Sequence, residues 1–194
     1  MRKKYIISLV AGIIILAGLA ASSYNTLVKK EEKVKLQWAE VQSTYQRRLD
    51  LVPNLVNVVK GVSDFEQGTL EKIAEARSKA LSGLSSAAEP NAENYNKQQT
   101  LQDSLAAATN RLIVVIEKYP TLKGTAAYSG LQAQLEGTER RIKVARNDFN
   151  AAVADYNRQV RSFPSNIFSG LFGYKAKEGF VADAGTDKAV EIKF

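Results

Sequence analysis

LQAQLEGTERRIKVARNDFNAAVADYNRQVRSF, residues Leu131–Phe163, carries its apolar and small residues at Leu131, Leu135, Thr138, Ile142, Ala145, Phe149, Val153, Tyr156, Val160 and Phe163. The steps are threes and fours, so these side chains fall on one stripe of a long helix while the charges take the other face. Pro164 ends the pattern, because proline cannot supply the next backbone N–H. A rod of this length must cover its stripe with another helix of similar length.

That partner stands at the other end of the chain. From Tyr24 to about Val62, Leu27, Val34, Trp38, Val41, Tyr45, Val52, Leu55, Val59 and Val62 repeat at three, four and seven. Arg48 is the one polar break in the seam. Pro53 lies inside the segment and predicts a kink near Leu49. Ser63-x-x-Glu66 has the form of a capping box. It opens a second helix reaching about Leu81, with Leu70, Ile73, Ala74, Ala80 and Leu81 inward. Ser82–Glu89 reads as a small-residue loop, and Pro90 suits the first turn of a third helix. There Leu101, Leu105, Ala108, Leu112, Val115 and Tyr119 form the stripe, and Pro120 ends it. Thr125 is a candidate N-cap for the fourth helix.

At 1.5 Å per residue the first and fourth helices are rods of about 58 Å. The expected fold is all-α: an N-terminal transmembrane helix, an elongated antiparallel four-helix bundle, and a short extended C-terminal tail. In that tail Phe168, Leu171, Phe172, Tyr174 and Phe180 pack on the bundle end, and Val190, Ile192 and Phe194 alternate as a strand does. The expected domains are 1–23, 24–164 and 165–194.

The transmembrane reading rests on Tyr5–Ala21, YIISLVAGIIILAGLAA, a charge-free run after Arg2, Lys3 and Lys4. With Ser22 and Ser23 it reaches the roughly 20 residues needed to cross about 30 Å of hydrocarbon. The rival is a cleaved signal peptide. The run is longer than the usual apolar region of 7–15 residues in such a peptide, and helical periodicity resumes at Tyr24, so a retained anchor is expected. The basic cluster before the span predicts a cytoplasmic N-terminus and a bundle on the periplasmic or extracellular side. Gly12 and Gly18 do not form G-x-x-x-G, so the span offers no strong dimer motif.

Composition narrows the chemistry. The chain has no cysteine and no histidine, which excludes thiolate zinc sites, Ser–His–Asp triads and Glu-x-x-His di-iron sites. Its net charge is +7, but residues 22–194 keep 24 of the 27 basic residues and all 20 acidic ones, a net of +4. These charges are dispersed in mixed sign, so nucleic-acid binding is not expected. Nor are catalysis, a cofactor or a metal. The carboxylates Glu117, Glu136 and Glu139 could suit Ca²⁺, Mg²⁺ or Mn²⁺, but Arg140, Arg141 and Arg146 nearby favour ion pairs.

Arg47, Arg48, Asp50 and Asn54 surround Pro53 and, with Glu117 and Glu136, are the candidate binding residues. The functional reading is a ligand or partner site at a kink whose freed carbonyls polar groups can reach. The structural reading, which is favoured, pairs a buried Arg48 with a carboxylate across the bundle, Glu117, Glu136 or Glu139.

Several stretches together resemble the LemA family of bacterial membrane proteins. They are Tyr24-Asn25-x-Leu27-Val28 with Glu32, Val34, Trp38 and Val41; RRLDLVPNLVNVVKG from Arg47 to Gly61; Glu75-Ala76-Arg77; Glu117-Lys118-Tyr119-Pro120-x-Leu122-Lys123; and Leu135-Glu136-Gly137-Thr138-Glu139. Ala145-Arg146, Phe149-Asn150, Tyr156-Asn157, Phe163-Pro164-Ser165-Asn166, Phe172-Gly173 and Phe194 also match. Gly179 departs from the pattern, which more often has an aromatic residue there. The resemblance implies a mostly four-helix domain tethered by one N-terminal helix in the bacterial inner membrane, and no established activity. It also implies association with the cell envelope and with membrane biogenesis and, as in some members of the family, with an HtpX-like zinc metalloprotease encoded nearby. The function expected is a single-pass, membrane-anchored scaffold or adaptor acting on other envelope proteins or on copies of itself. The alternative is a ligand-sensing domain with a pocket near Pro53.

Overall fold

The computed structural model describes residues 2–60, 67–86 and 91–180. The fold is all-α: α1 (Arg2–Lys60), α2 (Gln67–Ser86), α3 (Ala92–Ile116), α4 (Pro120–Lys123), α5 (Ala126–Arg161) and α6 (Ser165–Leu171), with no strand among the described residues. The capping box at Ser63–Glu66, Pro90 and the Val190–Phe194 alternation lie outside those residues.

The spine of the fold is the pair α1 and α5. Lys30 Nζ is 3.3 Å from Asp155, the Trp38 ring 5.7 Å from Phe149, and Arg146 Nε 2.8 Å from the Tyr45 hydroxyl. Arg48 pairs with Glu139. Numbers rise on one helix as they fall on the other, so the pair is antiparallel. Both predicted seams are buried: Leu27, Val34, Trp38, Val41, Tyr45, Val52, Leu55 and Val59 on α1, and Leu135, Thr138, Ile142, Ala145, Phe149, Val153, Tyr156 and Val160 on α5. Thr125 caps α5 as expected, its hydroxyl accepting the Tyr128 N–H at 3.2 Å. Phe163 does not join the seam. Because α5 stops at Arg161, that ring is 80% exposed.

The hairpin α2–α3 lies against the distal half of α1, and here three expectations are corrected. Residues 82–86 are not loop but the last turn of α2. Ser82 and Ser85 return their hydroxyls to the carbonyls of Lys79 and Leu81 at 2.8 and 3.2 Å, so their polarity is spent inside the helix. Gly83 is small because α3 passes close: a Cβ there would lie 2.5 Å from Leu101 Cδ1. The register of the apolar stripes also differs. On α2, Thr69, Ile73, Ala76 and Ala80 are buried while Ala74 and Leu81 are exposed. On α3 the buried line is Tyr95, Gln98, Gln102, Leu105, Thr109, Leu112 and Ile116. This is a strict three-four repeat whose centre is polar. The expected line shares only Leu105 and Leu112 with it, and its other members flank the seam. The third helix also ends at Ile116, and Pro120 opens the one-turn α4.

At the other end the roles change. From Lys3 to Leu19 every residue of α1 is exposed, and the helix is long and apolar enough to cross a membrane. Burial begins at Ser23, where α6 meets α1: Ser165 Oγ is 3.4 Å from Ser23 Oγ. The chain then runs extended from Tyr174 to Phe180 along α5, taking the place of the hairpin where the hairpin ends. Two asparagines of α5 hold it like a strand neighbour. Asn157 donates to the Lys177 carbonyl at 2.7 Å and accepts its N–H at 2.8 Å; Asn150 does the same for Phe180 at 3.2 and 2.8 Å. Gly179 finds its reason here, since a Cβ on it would come within 2.5 Å of Asn150 Oδ1. Gly179→Leu is expected to break the Asn150–Phe180 pair and free the tail, read as faster amide exchange at Lys177 and Phe180 with the bundle unchanged.

Candidate functional site

The buried residues form two apolar clusters. The distal one gathers Leu49, Leu55, Val59, Ile73, Leu105, Leu112 and Leu135, and the membrane-side one Trp38, Tyr45, Tyr95, Phe149 and Tyr156. Between them runs a layer of buried polar side chains that includes Thr44, Arg48, Gln102 and Thr138. Arg48 occupies a seam position of α1 and is only 3% exposed. Its guanidinium donates to the Gln102 carbonyl at 3.0 Å and the Gln102 side-chain oxygen at 3.1 Å, and pairs with Glu139. One side chain therefore ties α1 to α3 and α5. Of the three candidate carboxylates the partner is Glu139. Glu117 pairs with Lys123, and Glu136 accepts from Gln132 at 3.2 Å. Both are exposed, as are Arg47, Asp50 and Asn54, with Asp50 accepting from Gln46 at 2.9 Å. The structure thus does not bring the six candidate residues together.

Pro53 lacks the N–H that would bond the Leu49 carbonyl four residues back. In its place Arg77 of α2 donates Nε to that carbonyl at 2.9 Å. The helix runs on through Pro53 to Lys60, and the freed acceptor becomes the point where the hairpin is fastened. Arg77→Met should cost about 1–3 kcal/mol by orphaning a buried acceptor. Pro53→Ala should remove most of that cost by restoring the intrahelical bond. Equal losses for Arg77→Met with and without Pro53→Ala in urea unfolding would contradict the assignment.

A second basic group works next to the layer. Arg146 donates to the Tyr45 hydroxyl at 2.8 Å and to Asp103 at 3.3 Å, and stands over the Tyr45 and Phe180 rings at 5.5 and 5.4 Å. Burial pushes the Tyr45 phenol up, against the pull of Arg146. Burial alone holds Tyr95 far above the usual tyrosine range. The residues that sequence reasoning missed are Gln102, Arg77 and Tyr45. The signal for Gln102 was available: it repeats with Tyr95, Gln98, Leu105, Thr109 and Leu112 at heptad spacing.

The layer borders a cavity of about 50 Å³ lined by Arg48, Thr109, Leu135, Glu136 and Glu139, among others, and not by Asn54 or Pro53. It suits a few waters, against the roughly 300–1,000 Å³ of small-molecule sites. Among the described residues no group of three carboxylates is placed to hold a metal ion.

The model of the LemA family matches residues 37–194. The chain is similar to magnetosome protein MamQ 1 of Paramagnetospirillum magneticum and magnetosome protein MamQ of Magnetospirillum gryphiswaldense. Each is 26% identical over 174 residues, covering 81% of this chain and 64% of the relative. It is also similar to protein LemA of Metamycoplasma hominis, 24% identical over 142 residues, covering 73% of this chain and 61% of the relative. The chain thus spans less than two thirds of the length of these curated relatives.

Proposed function

The chain belongs to the LemA family, and on that premise we propose that it is a membrane-anchored helical scaffold or adaptor of the bacterial cell envelope, working by protein–protein contact or self-assembly and without catalysis. The observation that supports this is the continuity of α1. One helix carries the exposed apolar span and, with no break, the seam on which α5 packs. The bundle is then a rigid extension of the anchor, about 88 Å from end to end of α1 at 1.5 Å per residue. Its buried Arg48 is spent on fixing helix against helix. What the chain offers to others is its long outer surface. Against the ligand-sensing alternative, the cavity beside Arg48 measures about 50 Å³ and is not lined by Pro53 or Asn54.

The partners we propose are other envelope proteins, an HtpX-like metalloprotease among those the family resemblance suggests, or further copies of the chain. The magnetosome relatives carry names that fit work at a cell structure better than work on a metabolite. Arg2, Lys3 and Lys4 before the span support a cytoplasmic N-terminus with the bundle outside. Because the chain has no cysteine, a single Glu136→Cys variant tests the orientation: a membrane-impermeant maleimide should label it in intact cells. Cross-linking in native membranes followed by sizing tests the role. A discrete adduct, either a homo-oligomer or one co-purifying protein, is expected; a lone monomer under all conditions would overturn the reading.

A further inference from the structure

We propose that α6 is a lipid-facing foot, whose outer face lies in the headgroup region of the leaflet where the α1 span ends. The helix buries two serines and leaves two large aliphatic side chains outside. Toward the protein it turns Ser165, Phe168 and Ser169, all buried. Ser165 accepts from Gln159 Nε2 at 2.6 Å and meets Ser23, and Ser169 donates to the Val160 carbonyl at 3.0 Å. Away from the protein it turns Ile167 and Leu171, four residues apart and 59% and 77% exposed, and Phe163, just ahead of the helix, is 80% exposed. A helix meant for water keeps its serines outside and its large aliphatic residues inside. Here two serines are spent inward to hold an apolar row outward, and their hydrogen bonds fix that orientation.

Position identifies what covers the row. Ser23, which α6 touches, is the first buried residue after the fully exposed apolar run of α1, so the row stands at the level where the span leaves the hydrocarbon. Aromatic rings gather at the same level. Tyr24, half exposed, meets Phe172 edge-on at 5.1 Å and Tyr174 at 6.1 Å. Such a ring belt suits the membrane–water boundary. Exposed Arg161 and Lys175 precede and follow α6 in the chain, while Arg158 is paired with Asp155; the first two, without an ion pair among the described residues, suit anionic headgroups. The row therefore continues the lipid-contacting surface of α1 sideways, and the partner it fits is the bilayer itself. With two contacts on one side of its axis, the α1 rod is fixed in rotation as well as in depth.

The inference rests on α1 being membrane-inserted, and the test separates the two. Single cysteines replacing Ile167, Leu171 and, as a water reference, Glu136 are spin-labelled in the full chain and reconstituted into phosphatidylcholine–phosphatidylglycerol vesicles. Flotation reads the anchor, and collision with oxygen against a water-soluble nickel chelate reads the depth of each label. The expected result is that all variants float, with labels at 167 and 171 shielded from nickel and open to oxygen while the label at 136 is the reverse. Protein that does not float overturns the anchor and the foot together. Protein that floats with labels 167 and 171 as open to nickel as 136 overturns the foot alone. So does dipolar broadening between labels at 167, which would assign the row to a second copy.

Discussion

Arg48→Ala is expected to lower the unfolding free energy by about 3–5 kcal/mol. Two losses combine. The buried stem and guanidinium leave a hole in a seam position, for which large-to-alanine changes cost about 2–5 kcal/mol. The Gln102 carbonyl and side-chain oxygen lose their donor, worth about 1–3 kcal/mol when acceptors stay buried. Glu139 adds little, because it is 51% exposed and water can take over. Three companion variants make the assignment specific. Glu139→Gln should cost about 1 kcal/mol, the scale of a partly solvated ion pair, while Glu117→Gln and Glu136→Gln should fall within about 0.5 kcal/mol of the parent, as surface changes do. Arg48→Met refills the hole without the charge, and buried ion pairs are often replaceable in stability terms. If the layer exists to fix register, Arg48→Met should unfold between the midpoints of Arg48→Ala and the parent, since the Gln102 oxygens still lack their donor, and should lose the single set of sharp amide resonances. Urea unfolding of the full chain in detergent, with those spectra, checks the set; an unaltered midpoint for Arg48→Ala would contradict it.

Phe149→Ala should be of similar size, about 3–5 kcal/mol, and should act further away. Its ring sits among Trp38 of α1, Tyr95 of α3 and Phe180 of the tail, at 5.7, 4.8 and 5.5 Å. Trp38 and Tyr95 also meet each other at 4.7 Å. Four separate parts of the chain converge there, so removing one ring loosens three neighbours. Tail release, seen as amide exchange at Phe180, should accompany the loss of stability. Phe163→Ala serves as the contrast: the ring is 80% exposed, and in detergent its removal should leave the midpoint within about 0.5 kcal/mol.

The two long seams were legible because each is long, apolar and strictly periodic, and a pattern repeated over many turns outweighs any local signal. The anchor was legible for the opposite reason, an apolar run with no period. Helix three was misplaced by its polar centre. Gln98, Gln102 and Thr109 sit in the core, and a reading that equates core with apolar slides to the flanking Leu101 and Ala108. Arg48 was recognised as a buried ion, but its partner was not: Glu117, Glu136 and Glu139 are alike in type, and only the register of α5 against α1 chooses among them. Pro53 announced a free carbonyl, whereas Arg77, which takes it, lies on another helix at no fixed spacing. The candidates around Pro53 dispersed for the simplest of helical reasons. Residues 47, 50 and 54 point away from the seam that residue 48 enters.

The pairing of α1 with α5 has a consequence for how the chain is made. Lys30 meets Asp155 across 125 residues of sequence, and Arg48 meets Glu139 across 91. At about 5–20 residues per second of synthesis, roughly 6–25 s separate the emergence of Lys30 from that of Asp155. Throughout that interval the span is already available for insertion, while the stripe from Leu27 to Tyr45 has no covering helix. The hairpin α2–α3 closes locally and early, but it shields only the distal half of α1. Newborn chains anchored side by side would thus expose identical apolar stripes in two dimensions, where mispairing is easiest. Slowing translation between Ser86 and Ala126 should therefore raise the share of chains trapped in cross-paired aggregates without altering the stability of those that finish.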